Sequence, residues 1–195
     1  DPVRYLSNRS SGKMGYALAE KARDMGEKVI LISGPVHLSP PPEVELVLIE
    51  NASEMKKIIG LHVEKMDYVF MIAAVADYMP NNMSNKKMKR ISKNIVLDLK
   101  PTPDILKSIQ GKTKAIITAF ALETHDGENE AIKKLNEKKV DYIVLNYANE
   151  EGAGFESSTN RVSIFSKNGN KHELKKDRKD RIAEKILFHI LESEK

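Results

Sequence analysis

Short apolar runs alternate along the chain with longer segments in which apolar residues recur every three or four positions. The short runs are rich in Val, Ile and Phe and predict buried strands, whereas the longer period predicts amphipathic helices. Strands that alternate with helices are typical of βαβ units. The sequence therefore predicts an α/β fold, a three-layer Rossmann-like sheet that is mostly parallel and flanked by helices.

The predicted elements follow one another without an internal repeat. The predicted strands are residues 29–32, 44–49, 68–75, 95–99, 115–120, 142–145, 162–165 and 172–174. The predicted helices run from Gly12 to Gly26, from a cap at Ser53, from Pro103, over 128–138 and over 181–191. The run 68–75 is the most apolar and is predicted to be a central strand. Asn168-Gly169 predicts a β-hairpin turn between the last two strands.

Residues 78–92 differ from the rest of the chain because they hold too few apolar side chains to pack against a core. We expect them to form a flexible flap. Its cations Lys87, Lys89 and Arg90 could close over phosphate groups and neutralise charge in a transition state. A run of exposed, solvated charges is the alternative interpretation.

Composition favours a globular protein. The chain has 195 residues, 41% of them hydrophobic and 31% charged, which suits one domain over residues 1–195. The net charge of +4, with both signs interspersed, fits a polyanionic ligand and an ordinary solubilising surface alike. The absence of Cys excludes disulfides and thiolate metal sites. Since no apolar run approaches the roughly 20 residues of a membrane span, we expect a cytoplasmic location.

Ser10, Ser11 and Gly12 precede the first predicted helix. Backbone N–H groups at a helix start are unpaired, and the helix dipole favours anions there. In open parallel sheets, ligands bind near such helix starts, at the carboxyl ends of the strands. The segment is a candidate phosphate cradle, with an ordinary Ser-capped helix as the alternative. It matches neither a Walker loop nor a GxGxxG motif.

Small residues followed by an acid end the run 68–75. Ala73 and Ala74 would let a flat ligand lie against the backbone, and Asp77 could hold the Mg²⁺ of a triphosphate. A strand that needs small neighbours and then exits with a polar residue is the alternative. Lys134 and Lys138 share one helical face and, as isolated charges, indicate surface residues. The five His show no HxxxH or HExxH spacing, which argues against metal ligation through imidazole.

The order of these segments resembles bacterial phosphopantothenoylcysteine synthetase, commonly the C-terminal half of the bifunctional Dfp (CoaBC) protein of coenzyme A biosynthesis. The opening motif is DPVRYLSNRSSGKMG at residues 1–15, and the second motif is AAVADY at 73–78. Further matches follow in family order: KMKR at 87–90, PDIL at 103–106, FALET at 120–124, DYIV at 141–144 and the segment 155–160. The resemblance covers essentially the whole chain.

The resemblance implies a ligase that works in two half-reactions. The carboxylate of 4′-phosphopantothenate attacks the α-phosphate of CTP, which releases pyrophosphate and leaves an acyl-cytidylate, and the amine of cysteine then displaces CMP. The resemblance also implies Mg²⁺, a homodimer whose sites take residues from both subunits, and a fused flavin-dependent decarboxylase domain in the native protein. That flavin half does not match this sequence, so we expect no FMN site in this chain.

The resemblance further implies roles for individual residues. Asn8 would bind the acyl intermediate and support its aminolysis, with Arg4 as its companion, and Lys87 would stabilise the transition state of nucleotidyl transfer. Asp77 would lie by the triphosphate and its Mg²⁺, and Ala74 would line the pantothenate pocket. The implied nucleotide-contacting positions are Met71, Ile72, Ala73, Pro103, Asp104, Ile105, Leu106, Phe120, Lys134 and Lys138.

Family chains also carry an earlier strand and a Gly-Pro-Thr turn before the opening motif, so we expect the sheet of this chain to lack one strand. Two other functions compete with the ligase. An NAD(P)-binding Rossmann oxidoreductase explains the alternation of elements, but its Gly-rich fingerprint is missing from the sequence. A basic nucleic-acid-binding module would need an aromatic stacking platform, and only 6% of the residues are aromatic.

Overall fold

The computed structural model describes residues 1–123, 126–147 and 159–194, which form helices and strands in alternation. The helices are α1 (Lys13–Asp24), α2 (Ala52–His62), α3 (Ile105–Ile109), α4 (Gly127–Lys138) and α5 (Lys179–Ser193). The strands are β1 (Ile30–Ser33), β2 (Glu45–Leu48), β3 (Tyr68–Met71), β4 (Tyr78–Pro80), β5 (Leu99–Pro101), β6 (Ile116–Glu123), β7 (Tyr142–Tyr147), β8 (Thr159–Ser166) and β9 (Lys171–Arg178).

The largest sheet has the strand order β3-β6-β7-β8-β9. The pairs β3–β6 and β6–β7 are parallel, whereas β7–β8 and β8–β9 are antiparallel. Strands β1 and β2 form a separate parallel pair, and β4 and β5 form a short antiparallel pair at the base of the flap. The predicted α/β fold with a mostly parallel sheet and a C-terminal hairpin is confirmed.

Helices cover both faces of the sheet because the central strand β7 is apolar on both sides. Ile143 and Leu145 point into a core formed with α2, α3 and α4. Tyr142 and Val144 point into a second core formed with α1 and α5. Alternate residues of a strand face opposite sides of the sheet, so this run of apolar residues requires two covering layers. The predicted three layers, a sheet between two layers of helices, follow from the apolar residues on both faces of β7.

Two turn predictions are confirmed. Gly26 follows α1 with a φ of 88°, where its N–H donates to the Arg23 carbonyl over 2.8 Å. Gly169 has a φ of 82° in the turn between β8 and β9. Such left-handed backbone favours glycine because glycine lacks a Cβ.

Several predicted boundaries were wrong. The run 68–75 forms only the short strand β3, which is an edge strand of the largest sheet rather than a central one. The run 95–99 is largely outside a strand, because β5 begins at Leu99. A run of apolar residues indicates that the segment is buried or in contact with another surface. It does not determine whether the strand pairs with one neighbouring strand or with two.

Two helix starts also differ from prediction. Asn51, rather than Ser53, caps α2, and its side chain accepts a hydrogen bond from the Glu54 N–H over 3.0 Å. Asp104, rather than Pro103, precedes α3, and its side chain accepts from the Lys107 N–H over 3.0 Å. Both caps bond the amide three residues ahead, which satisfies an otherwise unpaired donor of the first turn.

A stacked histidine pair joins α5 to β9. The rings of His172 and His189 lie 4.3 Å apart and are nearly parallel. Burial of His189 lowers its pKa, and the nearby His172 lowers it further. Protonation is therefore less favourable in the folded chain than in the unfolded chain.

We predict that the free energy of unfolding decreases as the pH falls below about 6.5, the usual pKa of histidine, because the unfolded chain then binds more protons than the folded one. Replacing His189 by Gln should make the dependence between about pH 7 and pH 5.5 shallower. Urea unfolding of both proteins across this range measures the difference. An equally steep dependence in His189→Gln would contradict the assignment.

Candidate active site

The N-terminal segment is attached to the chain that leaves β3. The Asn8 side-chain amide donates to the Val75 carbonyl over 3.3 Å. Two residues further along, the Asp77 carbonyl accepts from the Thr102 N–H over 2.8 Å, beside the short pair β4–β5. These bonds bring the first two motifs, at 1–15 and 73–78, together beyond the carboxyl end of β3.

Gly12 fits the start of α1 for a steric reason. It is the N-cap of this helix with a φ of 74°, and no side chain caps the helix there. A Cβ at this position would lie 2.9 Å from Cγ1 of Val36, so a larger residue would meet both strain and a clash. The N-cap is thus a glycine rather than the serine of the alternative interpretation, and the first residues of the helix adjoin the cleft described next.

A large open cleft, with a volume of about 1860 Å³, extends from the N-terminal segment across the ends of β3 and β6. Most of the predicted site residues line it. They are Arg4, Asn8, Ser10, Ser11, Gly12, Met71, Ile72, Ala73, Ala74, Asp77, Leu106, Phe120, Lys134 and Lys138. The structure therefore places along one continuous cleft residues that lie more than 100 positions apart in the sequence.

The remaining predicted residues lie beside the cleft rather than in its wall. Lys87 is exposed, and the flap residues that line the cleft are its neighbours, among them Asn85 and Met88. Pro103, Asp104 and Ile105 are also outside the lining. Ile105 is buried in the core, which makes direct ligand contact by its side chain unfavourable in this conformation.

Two lysines of α4, Lys134 and Lys138, each face a carboxylate from another element. Lys134 pairs with Glu123 at the end of β6, and the Lys138 ammonium lies 2.7 Å from Oδ2 of Asp104. Burial alone would raise the pKa of Asp104, but the hydrogen bonds from Lys138 and from the Lys107 amide outweigh it, so the pKa lies below its usual value. The pairs align both ammonium groups along the cleft, where a phosphate could compete for them.

The cleft also contains polar residues that the sequence did not single out for a role. Asn146 and Asn160 both line it, and their side chains are joined by a hydrogen bond of 2.8 Å. Asn146 is a polar residue at the carboxyl end of an otherwise apolar strand, a signal that could have identified it. Lys179 is buried at the cleft, where desolvation lowers its pKa and the charge of Lys13 lowers it further.

Asp77 is a carboxylate that suits a magnesium ion brought to the cleft by a nucleotide. Within the described residues, no group of three or more His, Asp or Glu side chains could form a metal cage. Asp77 is an exposed carboxylate in the cleft wall. Mg²⁺ is commonly bound by one or two carboxylates together with substrate phosphates and water, so one acid is compatible with that role.

Thr124, which ends the fifth motif, and the start of the segment 155–160 lie outside the described residues. None of the helices in the described part of the chain is long and apolar enough to cross a membrane.

Comparison with known proteins gives consistent matches. A family model described as the DNA/pantothenate metabolism flavoprotein C-terminal domain matches residues 1–193. The coenzyme A biosynthesis bifunctional protein CoaBC of Bacillus subtilis is 46% identical over 176 residues, which are 89% of this chain and 43% of that protein. A cysteine/cysteine sulfinic acid decarboxylase of an unknown prokaryotic organism is 41% identical over 195 residues, 98% of this chain and 54% of that protein. The chain thus spans about half the length of the curated relatives it matches.

Solved structures show the same fold. The crystal structure of the C-terminal domain of a coenzyme A biosynthesis bifunctional protein CoaBC matches with a TM-score of 0.83 and 40% identity, and the match covers 99% of this chain and 89% of that one. A Cab2 variant in complex with phosphopantothenate-cysteine matches with a TM-score of 0.68 and 18% identity, over 98% of this chain and 80% of that one. At this low identity, the match to the Cab2 variant shows a similar fold and no more.

We predict that Asp104→Ala destabilises the chain by about 1 kcal/mol, because it removes the N-cap of α3. Asp104→Asn should cost less, since its side-chain oxygen can still accept from the Lys107 amide while the ion pair with Lys138 is lost. Urea unfolding at neutral pH measures both changes. Equal destabilisation by the two variants would contradict a capping role.

Proposed function

Because the chain belongs to the family of DNA/pantothenate metabolism flavoprotein C-terminal domains, we propose that it is the ligase that joins 4′-phosphopantothenate to cysteine. The observation that carries the proposal is the hydrogen bond from Asn8 to the Val75 carbonyl. It unites the two most specific motifs of the family at the carboxyl end of a parallel strand, the position where open α/β sheets bind ligands.

The proposed reaction begins with nucleotidyl transfer. A carboxylate oxygen of 4′-phosphopantothenate attacks the α-phosphorus of CTP, and the bond to the β-phosphate oxygen breaks to release pyrophosphate. Such a step depends on alignment and charge neutralisation more than on a strong base. Lys134 and Lys138 line the cleft and supply positive charge, while Phe120, Met71 and Leu106 offer apolar surface for a nucleotide. When bound, Mg²⁺ would neutralise phosphate charge beside Asp77.

The second half-reaction forms the amide. The cysteine amine attacks the acyl carbon, and the carbon–oxygen bond to the cytidylate breaks, so that CMP leaves. Asn8 and Arg4 line this end of the cleft, and Asn8 would donate a hydrogen bond to the acyl group. Donors aimed at the developing oxyanion stabilise the tetrahedral intermediate. Ala74, with its small side chain, leaves room for the pantothenate beside them.

Lys87 would stabilise the transition state of the first half-reaction after a movement of the flap. It lies outside the cleft wall, but its neighbour Met88 lines the cleft. A lysine side chain extends about 6 Å, so a modest movement of the flap could bring its ammonium group to the phosphates. A flap that closes over the cleft would also exclude water from the reactive acyl-cytidylate.

A second copy of the chain is the proposed partner of the flap. Several large apolar side chains near the flap are exposed, with Val96 91% and Tyr5 88% accessible. Ile91, Ile95 and Leu97 add to this apolar surface. Large apolar side chains that stay exposed together are typical of an interaction site. A homodimer whose sites share residues would cover it. The family names also support a fused flavin-dependent decarboxylase domain in the native protein, with residues 1–195 as one synthetase domain.

A further strand would complete the sheet. Strand β1 pairs on one side with β2, and β3 pairs on one side with β6. The cleft is lined by Ile32 of β1, Val69 of β3 and, from α1, Leu18. A further parallel strand between β1 and β3 would bury this apolar surface and join the two sheets.

We predict that Lys87→Gln lowers the rate of pyrophosphate release from CTP and 4′-phosphopantothenate by at least about 100-fold, because one cationic transition-state contact is lost. Asn8→Asp should still release pyrophosphate but form little amide. Lys93→Gln, which alters an exposed lysine just beyond the flap, is the matched control and should behave like the parent. Parental rates of both half-reactions in Lys87→Gln and Asn8→Asp would refute these roles.

A further inference from the structure

Asp1 has an unusual environment for a residue on an exposed segment. Its side chain is only 1% accessible, whereas residues 2–10 are all exposed. Oδ1 accepts hydrogen bonds from the Val3 and Arg4 amides over 3.0 and 3.1 Å. Oδ2 accepts from Nε of Arg4 over 3.0 Å and also from Nη2 of Arg4. A buried carboxylate needs such compensation, and the bonds fix its position closely.

The same carboxylate and guanidinium bind the flap through its backbone. Oδ2 of Asp1 accepts from the Met88 N–H over 3.2 Å, and Nη2 of Arg4 donates to the Met88 carbonyl over 2.7 Å. The N–H and the carbonyl of Met88 are therefore both hydrogen-bonded, to residues that lie 87 and 84 positions earlier in the sequence. The Met88 side chain takes no part in these bonds, so the contact depends on the position of the backbone rather than on the residue type.

The other bonds of the flap in the described structure lie at its base, where β4 pairs with β5, or within the flap. Asn81 bonds Asp98 at its base, through the backbone over 2.9 Å and through the side chains over 2.8 Å. Ser84 bonds the backbone of Lys86. The bonds at Met88 thus attach the middle of the flap to the N-terminal segment, and they lie directly beside Lys87.

We propose that Asp1 is a positioning residue, which together with Arg4 forms a clamp on the Met88 backbone and limits where Lys87 can reach. This inference rests on the proposed function, in which Lys87 assists nucleotidyl transfer. Adjacent Cα atoms lie about 3.8 Å apart, so a fixed Met88 keeps the Lys87 backbone close to the cleft edge. A flap held at Met88 then has only a short movement to make before Lys87 reaches the nucleotide, at a lower entropic cost than ordering the whole flap.

The clamp also gives Arg4 a second task. Its Nη2 group is shared between Asp1 and the Met88 carbonyl. Arg4 lines the cleft as well, on the same segment as Asn8. A conformational change of the flap would therefore move Arg4 directly, and Arg4 is the residue that the proposed ligase mechanism places beside the acyl intermediate.

Limited trypsin digestion tests whether the clamp exists. The flap contains Lys86, Lys87, Lys89 and Arg90, which are trypsin targets on both sides of Met88. Asp1→Ala should be cleaved in the flap several-fold faster than the parent. Asp24→Ala, which removes another surface Asp–Arg pair far from the flap, is the matched control and should be cleaved at the parental rate. Equal flap cleavage in Asp1→Ala and the parent would overturn the clamp.

A double-mutant cycle tests whether the clamp acts through Lys87. Asp1→Ala should lower the kcat of pyrophosphate release by about 10- to 100-fold, the cost expected when a reactive group is misplaced by about 1 Å. In the Lys87→Gln background the same change should have little further effect, which a general loss of structure would not produce. Independent, multiplicative effects would overturn the positioning role. An inactive parent would refute the ligase itself, and hence this role, while the digestion result would still decide the clamp.

Discussion

Parallel pairing of β3, β6 and β7 is the constraint on which the site depends. Parallel strands end at the same edge of a sheet, so the segments that follow them must meet there. Strand β7 is apolar on both faces and requires helices on both sides, which fixes the sheet in the middle of three layers. The polar segments that follow the strands then lie side by side along one rim, the edge of the sheet at the carboxyl ends of its parallel strands. None of these segments has to be buried there.

In the proposed ligase, the N-terminal segment makes this rim into a reaction site. It is exposed over most of its length, yet hydrogen bonds attach it to the described part of the chain: Asn8 bonds the chain after β3, and Asp1 with Arg4 bonds the flap. These few directional bonds connect a rigid sheet edge to a segment that can move. The proposed ligase needs this combination, because it must admit three substrates and then exclude water from an activated acyl group.

The sequence was most informative about the identity and order of the elements. The spacing of apolar residues predicted which segments form helices and strands, and hence the layers. Glycine predicted the turns at Gly26 and Gly169. Both predictions depend on residues that are close in the sequence. The caps at Asn51 and Asp104 were missed because Ser53 and Pro103 also favour helix starts, and propensity alone does not choose between near neighbours. The exposed residues 95–97 were mistaken for a strand, since an apolar contact surface and a core strand have the same composition.

Partners across long sequence distances could not be predicted. Helical spacing placed Lys134 and Lys138 on one face, but their carboxylates come from β6 and from the start of α3. The bonds of Asp1 to Met88 depend likewise on how the flap folds back. The family resemblance supplied the list of site residues, and the structure adds which of them meet in this conformation and which, like Lys87, stand outside the cleft.

The most direct test of the account follows an oxygen atom through the reaction. If the carboxylate of 4′-phosphopantothenate, labelled with ¹⁸O, is incubated with the chain, CTP, Mg²⁺ and cysteine, attack on the α-phosphorus followed by amide formation transfers one labelled oxygen to CMP. Mass spectrometry of the released nucleotide should detect that label in step with amide formation. Amide formation with unlabelled CMP would contradict the acyl-cytidylate route.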